Sequence, residues 1–102
     1  MGIIQIGSAP AYFLLCMEAM QKATMAQGIP EAIAKKITSN VAAGTATLAE
    51  HSSADLSALR AGVTTPQGVT EYSLKNFPME QFMDAFRMVY QAADERIRQL
   101  KH

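Results

Sequence analysis

Tryptophan is absent from this 102-residue chain, and cysteine occurs once, as Cys16. A single thiol closes no internal disulfide, and its place in an apolar run marks it as a buried structural thiol of a reducing, cytoplasmic setting. An excess of either charge is missing too, since nine basic and nine acidic residues cancel. With no basic run and no aromatic platform, nucleic acid and anionic membrane are excluded as partners, and a small neutral or anionic ligand fits better. The longest apolar run, Ala9 to Met17, is far short of the ~20 residues that a spanning helix needs, and no basic segment of a signal peptide precedes it. Ile6 stands where an N-myristoylation signal wants Ser or Thr. His51 has no second His, Cys or paired carboxylate at ligand spacing, so no metal site is expected. No G-x-G-x-x-G turn follows a strand, and no βαβ alternation exists, so this chain does not by itself bind a dinucleotide.

What is present points to helices. The chain is 49% apolar, with seven Met, many Ala and few consecutive β-branched residues, a composition that favours helix over sheet. The expected fold is all-α, one domain over residues 1–102, with two long helices, two short helices and a long C-terminal helix. A domain of this size buries about two-thirds of its unfolded surface, which leaves room for help from a partner chain. The start, Met1 to Ile6, is already core-like; it marks a domain cut from something larger or an end that pairs with another protein.

Taken in order, Gly7-Ser8-Ala9-Pro10 is a helix start, with Ser8 as cap and Pro10 in the first turn, where its missing N–H is harmless. The first helix runs to about Gln27 and stops at Gly28. Apolar side chains from Tyr12 to Met17 cover nearly every face, so its first half is expected to be buried all round. Glu18 reads as a carboxylate at the edge of the core. Pro30 restarts the chain, Glu31 and Lys35 are spaced for an ion pair, and the second helix extends to about Glu50. Small side chains in Val41-Ala42-Ala43-Gly44-Thr45-Ala46 predict close approach of another helix at Gly44. His51 reads as a C-terminal dipole partner. Ser52 and Ser53 resemble the cap of a short helix ending near Gly62. Another short helix covers Glu71 to Lys75, and Pro78 opens the last, from Met79 to Leu100. There Phe82, Phe86, Val89, Ala93, Ile97 and Leu100 recur at three- and four-residue steps, a stripe that suits a core or a dimer seam. Arg96, Arg98, Lys101 and His102 gather at its C-terminal end, where the dipole favours cations.

The chemistry-bearing stretch is Leu59 to Thr70, Leu-Arg-Ala-Gly-Val-Thr-Thr-Pro-Gln-Gly-Val-Thr. A Thr-, Gly- and Pro-rich loop that opens a helix presents unpaired N–H groups and the positive end of a dipole, so a carboxylate or phosphate can dock without a basic side chain. The bland alternative is a plain connector capped by threonines.

The order of these marks resembles the C-terminal domain of pyrroline-5-carboxylate reductase, the enzyme family that makes L-proline. Gly7-Ser8-Ala9-Pro10-Ala11-Tyr12 is similar to the family's G-S-G-P-A-Y, and Glu18-Ala19 and Gly28-Ile29-Pro30 fall where it places E-A and G-L-P. Val63-Thr64-Thr65-Pro66-Gln67-Gly68-Val69-Thr70 resembles its V-T-S-P-G-G-T-T. The likeness covers nearly the whole chain.

The resemblance implies a helical domain interlocked with a second copy as a homodimer, in many members assembled further into a ring of dimers. It also implies a substrate site at the loop, where the carboxylate of 1-pyrroline-5-carboxylate is held by the amides of Gly68, Val69 and Thr70, with Thr65 as a hydroxyl neighbour. Thr70 is the implied catalytic residue, its hydroxyl facing the ring nitrogen, where it can orient the imine as hydride reaches carbon and a proton reaches nitrogen. NADPH or NADH is the implied cofactor of the full-length enzyme, bound by an N-terminal dinucleotide-binding domain that this chain lacks, so the chain alone is expected to be inactive. Gln67 departs from the family's first loop glycine, Val69 from Thr, Thr65 from Ser, Ala9 from Gly and Ala61 from Asp. Gln67 and Ala61 support the alternative, a non-catalytic helical oligomerisation module derived from the family.

Overall fold

The computed structural model describes residues 7–101. The expectations placed on Met1–Ile6 and on His102 lie outside the described residues. Five helices, and no strand, are found among the described residues: α1 (Ala9–Ala26), α2 (Glu31–Glu50), α3 (Leu56–Gly62), α4 (Val69–Leu74) and α5 (Met79–Leu100). The all-α expectation, with its long and short members in order, is met. The chain divides into two compact units, one being Pro10–Thr64 and the other holding the chain from Thr65 onward.

In the first unit, α1 ends one residue earlier than expected. Gly28 takes φ +95°, a left-handed backbone that glycine adopts without a Cβ penalty, and its N–H donates to the Met25 carbonyl at 2.9 Å. Pro30 then serves as the cap residue of α2, and the Pro30 carbonyl accepts from Ala34 N–H at 2.9 Å. Ala34 and Thr38, one turn apart, are the buried residues of α2, at 0% and 5% exposure. Two cavities lie between α1 and α2. One, of about 160 Å³, is bordered by Phe13, Cys16, Met20, Val41, Ala42 and Thr45; the other, of about 440 Å³, by Leu14, Glu18, Gln21, Lys35 and Ser39; Met17 and Thr38 border both.

Several local expectations give way here. Ala34 and Thr38 are where α2 is buried, and among the described residues a Cβ built on Gly44 would meet nothing within 4 Å, so the helix expected to approach there is not one of these. The first half of α1 is not buried all round: Phe13, Leu14 and Leu15 are 57%, 60% and 65% exposed. A helix covered by one neighbour shields one stripe, and the apolar residues on its other faces stay open. Cys16 is half-buried rather than buried. Glu31 and Lys35 do not close their pair; Glu18 and Lys22 do, Oε2 to Nζ at 3.4 Å, both well exposed. Such a pair contributes little, at most about 1 kcal/mol.

The cap of α3 is Asp55, whose Oδ1 accepts the N–H of Ala58 at 2.8 Å, and not Ser52 or Ser53. Ser52 Oγ instead accepts from Ala54 N–H, which shapes the approach to the helix. His51 caps the C-terminus of α2, as expected: its backbone N–H and its ring Nδ1 both reach the Thr47 carbonyl, at 3.2 and 2.9 Å.

In the second unit, Pro78 caps α5, and its carbonyl accepts from Phe82 N–H at 2.9 Å. Phe77, Phe82 and Phe86 form a row of edge-to-face contacts with ring centroids 5.2 Å apart, an arrangement worth about 1 kcal/mol per pair beyond area. Arg87 pairs with Asp84 one turn away. The stripe is only partly covered: Phe86, Ala93 and Ile97 are half-buried, whereas Phe82, Val89 and Leu100 are exposed.

Candidate functional site

The loop before α4 is built on a four-residue turn, Thr65-Pro66-Gln67-Gly68. Its closing bond runs from Gly68 N–H to the Thr65 carbonyl at 2.9 Å. Proline at the second position presets its own φ, and the third residue, Gln67, sits at φ +63°. That is the pattern of a type II turn, whose third position normally takes glycine. Gln67 is the only non-glycine residue with positive φ among the described residues. A left-handed L-residue costs roughly 1–2 kcal/mol, so this turn carries strain that a glycine would avoid.

Gly68 is needed for a different reason. Its backbone is ordinary and extended, φ −84° and ψ 178°, but a Cβ there would lie 3.0 Å from the Thr65 carbonyl oxygen and 3.2 Å from Thr65 Cβ. Absence of a side chain lets the turn close. Gly68 then caps α4, its carbonyl accepting from Tyr72 N–H at 3.1 Å.

Gly68 N–H is spent on Thr65, so the first-turn amides of α4 are those of Val69, Thr70 and Glu71, which have no intrahelical carbonyl to reach. Val69 and Thr70 are exposed, Val69 at 87%. Thr65 is exposed and Gly68 half-buried, so the turn and the helix opening bring Thr65, Gly68, Val69 and Thr70 into one short segment. The Thr70 carbonyl accepts from Ser73 Oγ at 3.0 Å.

Sequence reasoning passed over Glu71. Its carboxylate turns back over the helix opening, where Oε1 accepts the N–H of Gln67 at 2.8 Å, and the residue is half-buried. An acidic residue three positions after the cap is the register from which a side chain reaches back to the residues before a helix, and that register was the available signal. The arrangement leaves the N–H groups of Val69 and Thr70 without an intrahelical partner, beside one resident carboxylate, that of Glu71.

Among the described residues, no helix is long and apolar enough to cross a membrane, and no three His, Cys, Asp or Glu side chains are grouped to hold a metal ion. The described residues form helices only, with no strand running into a glycine-rich turn of the kind that cradles a dinucleotide's pyrophosphate.

The family profile described as pyrroline-5-carboxylate reductase dimerisation matches residues 3–100. A pyrroline-5-carboxylate reductase of Vibrio alginolyticus is 37% identical over 100 residues, covering 97% of this chain and 37% of the relative. One from Pseudomonas aeruginosa is 36% identical over 94 residues, covering 92% of this chain and 34% of the relative. In a solved structure of a pyrroline-5-carboxylate reductase from Coxiella burnetii, 34% of the chain superposes on 91% of this one with a TM-score of 0.85 at 32% identity. The chain thus spans about a third of the length of the relatives it matches.

Proposed function

From the chain's membership of the pyrroline-5-carboxylate reductase dimerisation family, we propose that it is the self-associating, substrate-binding segment of a reductase that converts 1-pyrroline-5-carboxylate to L-proline with NADPH or NADH. The observation that carries this reading is the turn and helix opening from Thr65 to Thr70, found in a chain that matches the family along nearly its whole length. In this reading the substrate carboxylate rests on the amides of Val69 and Thr70, Gly68 contributing by its bareness and Thr65 by its hydroxyl. A helix mouth suits an anion because its N–H groups lack partners and its dipole is positive there.

In the same reading, which follows the family resemblance, the Thr70 hydroxyl faces the ring nitrogen of the imine. A hydroxyl fixed there orients the imine and donates toward nitrogen as that atom gains a proton. The nicotinamide supplies hydride when bound in the complete enzyme. The role assigned to this segment is to hold and orient the substrate.

Self-association as a homodimer, and as a ring of dimers beyond it, is the second half of the proposal. The open apolar faces of α1 and of α5 support it, each within its own unit.

The test is cofactor oxidation by the complete polypeptide with 1-pyrroline-5-carboxylate, in the parent and in Thr70→Ala. Turnover should fall about tenfold or more while assembly stays intact; an unchanged rate removes Thr70 from its role. The second reading, a helical assembly module without catalysis, is favoured by the Glu71 carboxylate at the loop rim and by the side chain on Gln67. Intact assembly with no turnover in the parent protein would establish it.

A further inference from the structure

A side chain stands where the turn calls for glycine, and the chain holds a local answer to that. Gln67 adopts φ +63°, and its N–H is bound by the Glu71 carboxylate at 2.8 Å. We infer that Glu71 is a positioning residue of the substrate loop, its carboxylate clamping the Gln67 amide so that the strained turn stays closed and the amides of Val69 and Thr70 stay presented. The inference rests on the loop's assignment as the substrate site.

Three features make the clamp more than a surface contact. First, the bond joins the residue just before the cap to the third residue of α4, so it spans the junction through which the turn could otherwise open. Second, Glu71 is half-buried, and its Oε1 meets the Gln67 N–H at 2.8 Å, an ordinary N–H···O length that an amide oxygen makes as well. Third, the Gln67 N–H held by Glu71 and the Gly68 N–H held by the Thr65 carbonyl are consecutive amides of one turn, so a turn that opens at Gln67 loosens both. Release of the clamp therefore removes support from two hydrogen bonds together.

The clamp also brings a negative charge to the rim of a site for an anion. Hydrogen bonding and charge make opposite contributions there, and the conservative amide separates them. Glu71→Gln keeps an acceptor oxygen at the same reach and removes the charge; Glu71→Ala removes both.

The experiment is amide hydrogen exchange on the complete protein, read at Gln67 and Gly68, together with KM and kcat for 1-pyrroline-5-carboxylate. Glu71→Ala should speed exchange at both amides by about tenfold, and Glu71→Gln should remain within about twofold of the parent. In a Gln67→Gly background, where the left-handed turn is no longer strained, Glu71→Ala should barely alter exchange at Gly68. KM should rise severalfold in Glu71→Ala with kcat little changed, and Glu71→Gln should restore it. Unaltered exchange at Gly68 in Glu71→Ala, or Glu71→Gln behaving like Glu71→Ala, overturns the clamp. Faster exchange with an unaltered KM overturns instead the loop's assignment as the substrate site, so the two failures are told apart.

Discussion

Gln67 carries a side chain where the backbone turns left-handed, while Gly68 beside it carries none where φ is ordinary. The two residues illustrate separate uses of glycine, freedom of φ and freedom from bulk, and only the second is retained here. Gly68→Ala should therefore harm the turn although its backbone angles suit alanine. The new Cβ would press on the Thr65 carbonyl at 3.0 Å, and crowding of that kind costs about 1–3 kcal/mol. Chemical denaturation should show a loss in that range, with Gly68 N–H exchanging faster; an alanine variant as protected as the parent would show that the turn tolerates bulk. The Thr-, Gly- and Pro-rich loop that opens α4 was legible, because proline and glycine act within one or two residues of themselves. The reach of Glu71 to Gln67 was not, since it depends on the direction in which a left-handed residue aims its N–H, a property of the folded backbone.

Helices began and ended close to where local signals placed them. The last helix, Met79–Leu100, matches its expected span, and α2 ends at Glu50 with His51 as its cap. These boundaries are set by proline and by the dipole within a turn of chain, so they survive whatever the rest of the fold does. Short caps are less certain guides where several candidates crowd together. Ser52, Ser53 and Asp55 all offer side-chain oxygens before α3, and Asp55 is the one whose Oδ1 meets Ala58 N–H. Asp55→Ala should destabilise the chain by about 1 kcal/mol, whereas Ser53→Ala should change it by less than about 0.5 kcal/mol. Thermal unfolding of the two variants side by side decides the assignment, and equal losses would return the cap to a shared role.

Among the described residues of the whole chain, Ala34 is the one fully buried apolar side chain. In the first unit Phe13, Leu14, Leu15 and Val41 remain open, and in the second Phe82, Met88, Val89 and Leu100 do. Apolar faces this extensive are unfavourable in water and mark interaction surfaces. With the chain's family membership, they lead to the expectation that light scattering at micromolar concentration shows at least a dimer. A stable monomer with native helical content would remove self-association from the proposal. The amphipathic stripe of α5 was readable from its three- and four-residue steps. The openness of α1 was not, because an all-round apolar helix announces burial without saying whether its own chain or another supplies the cover.

By itself the amino-acid order determined the helical class, the five segments, the loop within Leu59 to Thr70 and the family resemblance, because capping, helix propensity and turn chemistry act over a few neighbouring residues. Only the tertiary structure decided that α2 is buried at Ala34 and Thr38, that Thr65 leaves no room for a Cβ on Gly68, and that a glutamate holds the left-handed glutamine. Those outcomes depend on distances between atoms brought together by backbone direction, which residue spacing alone does not encode.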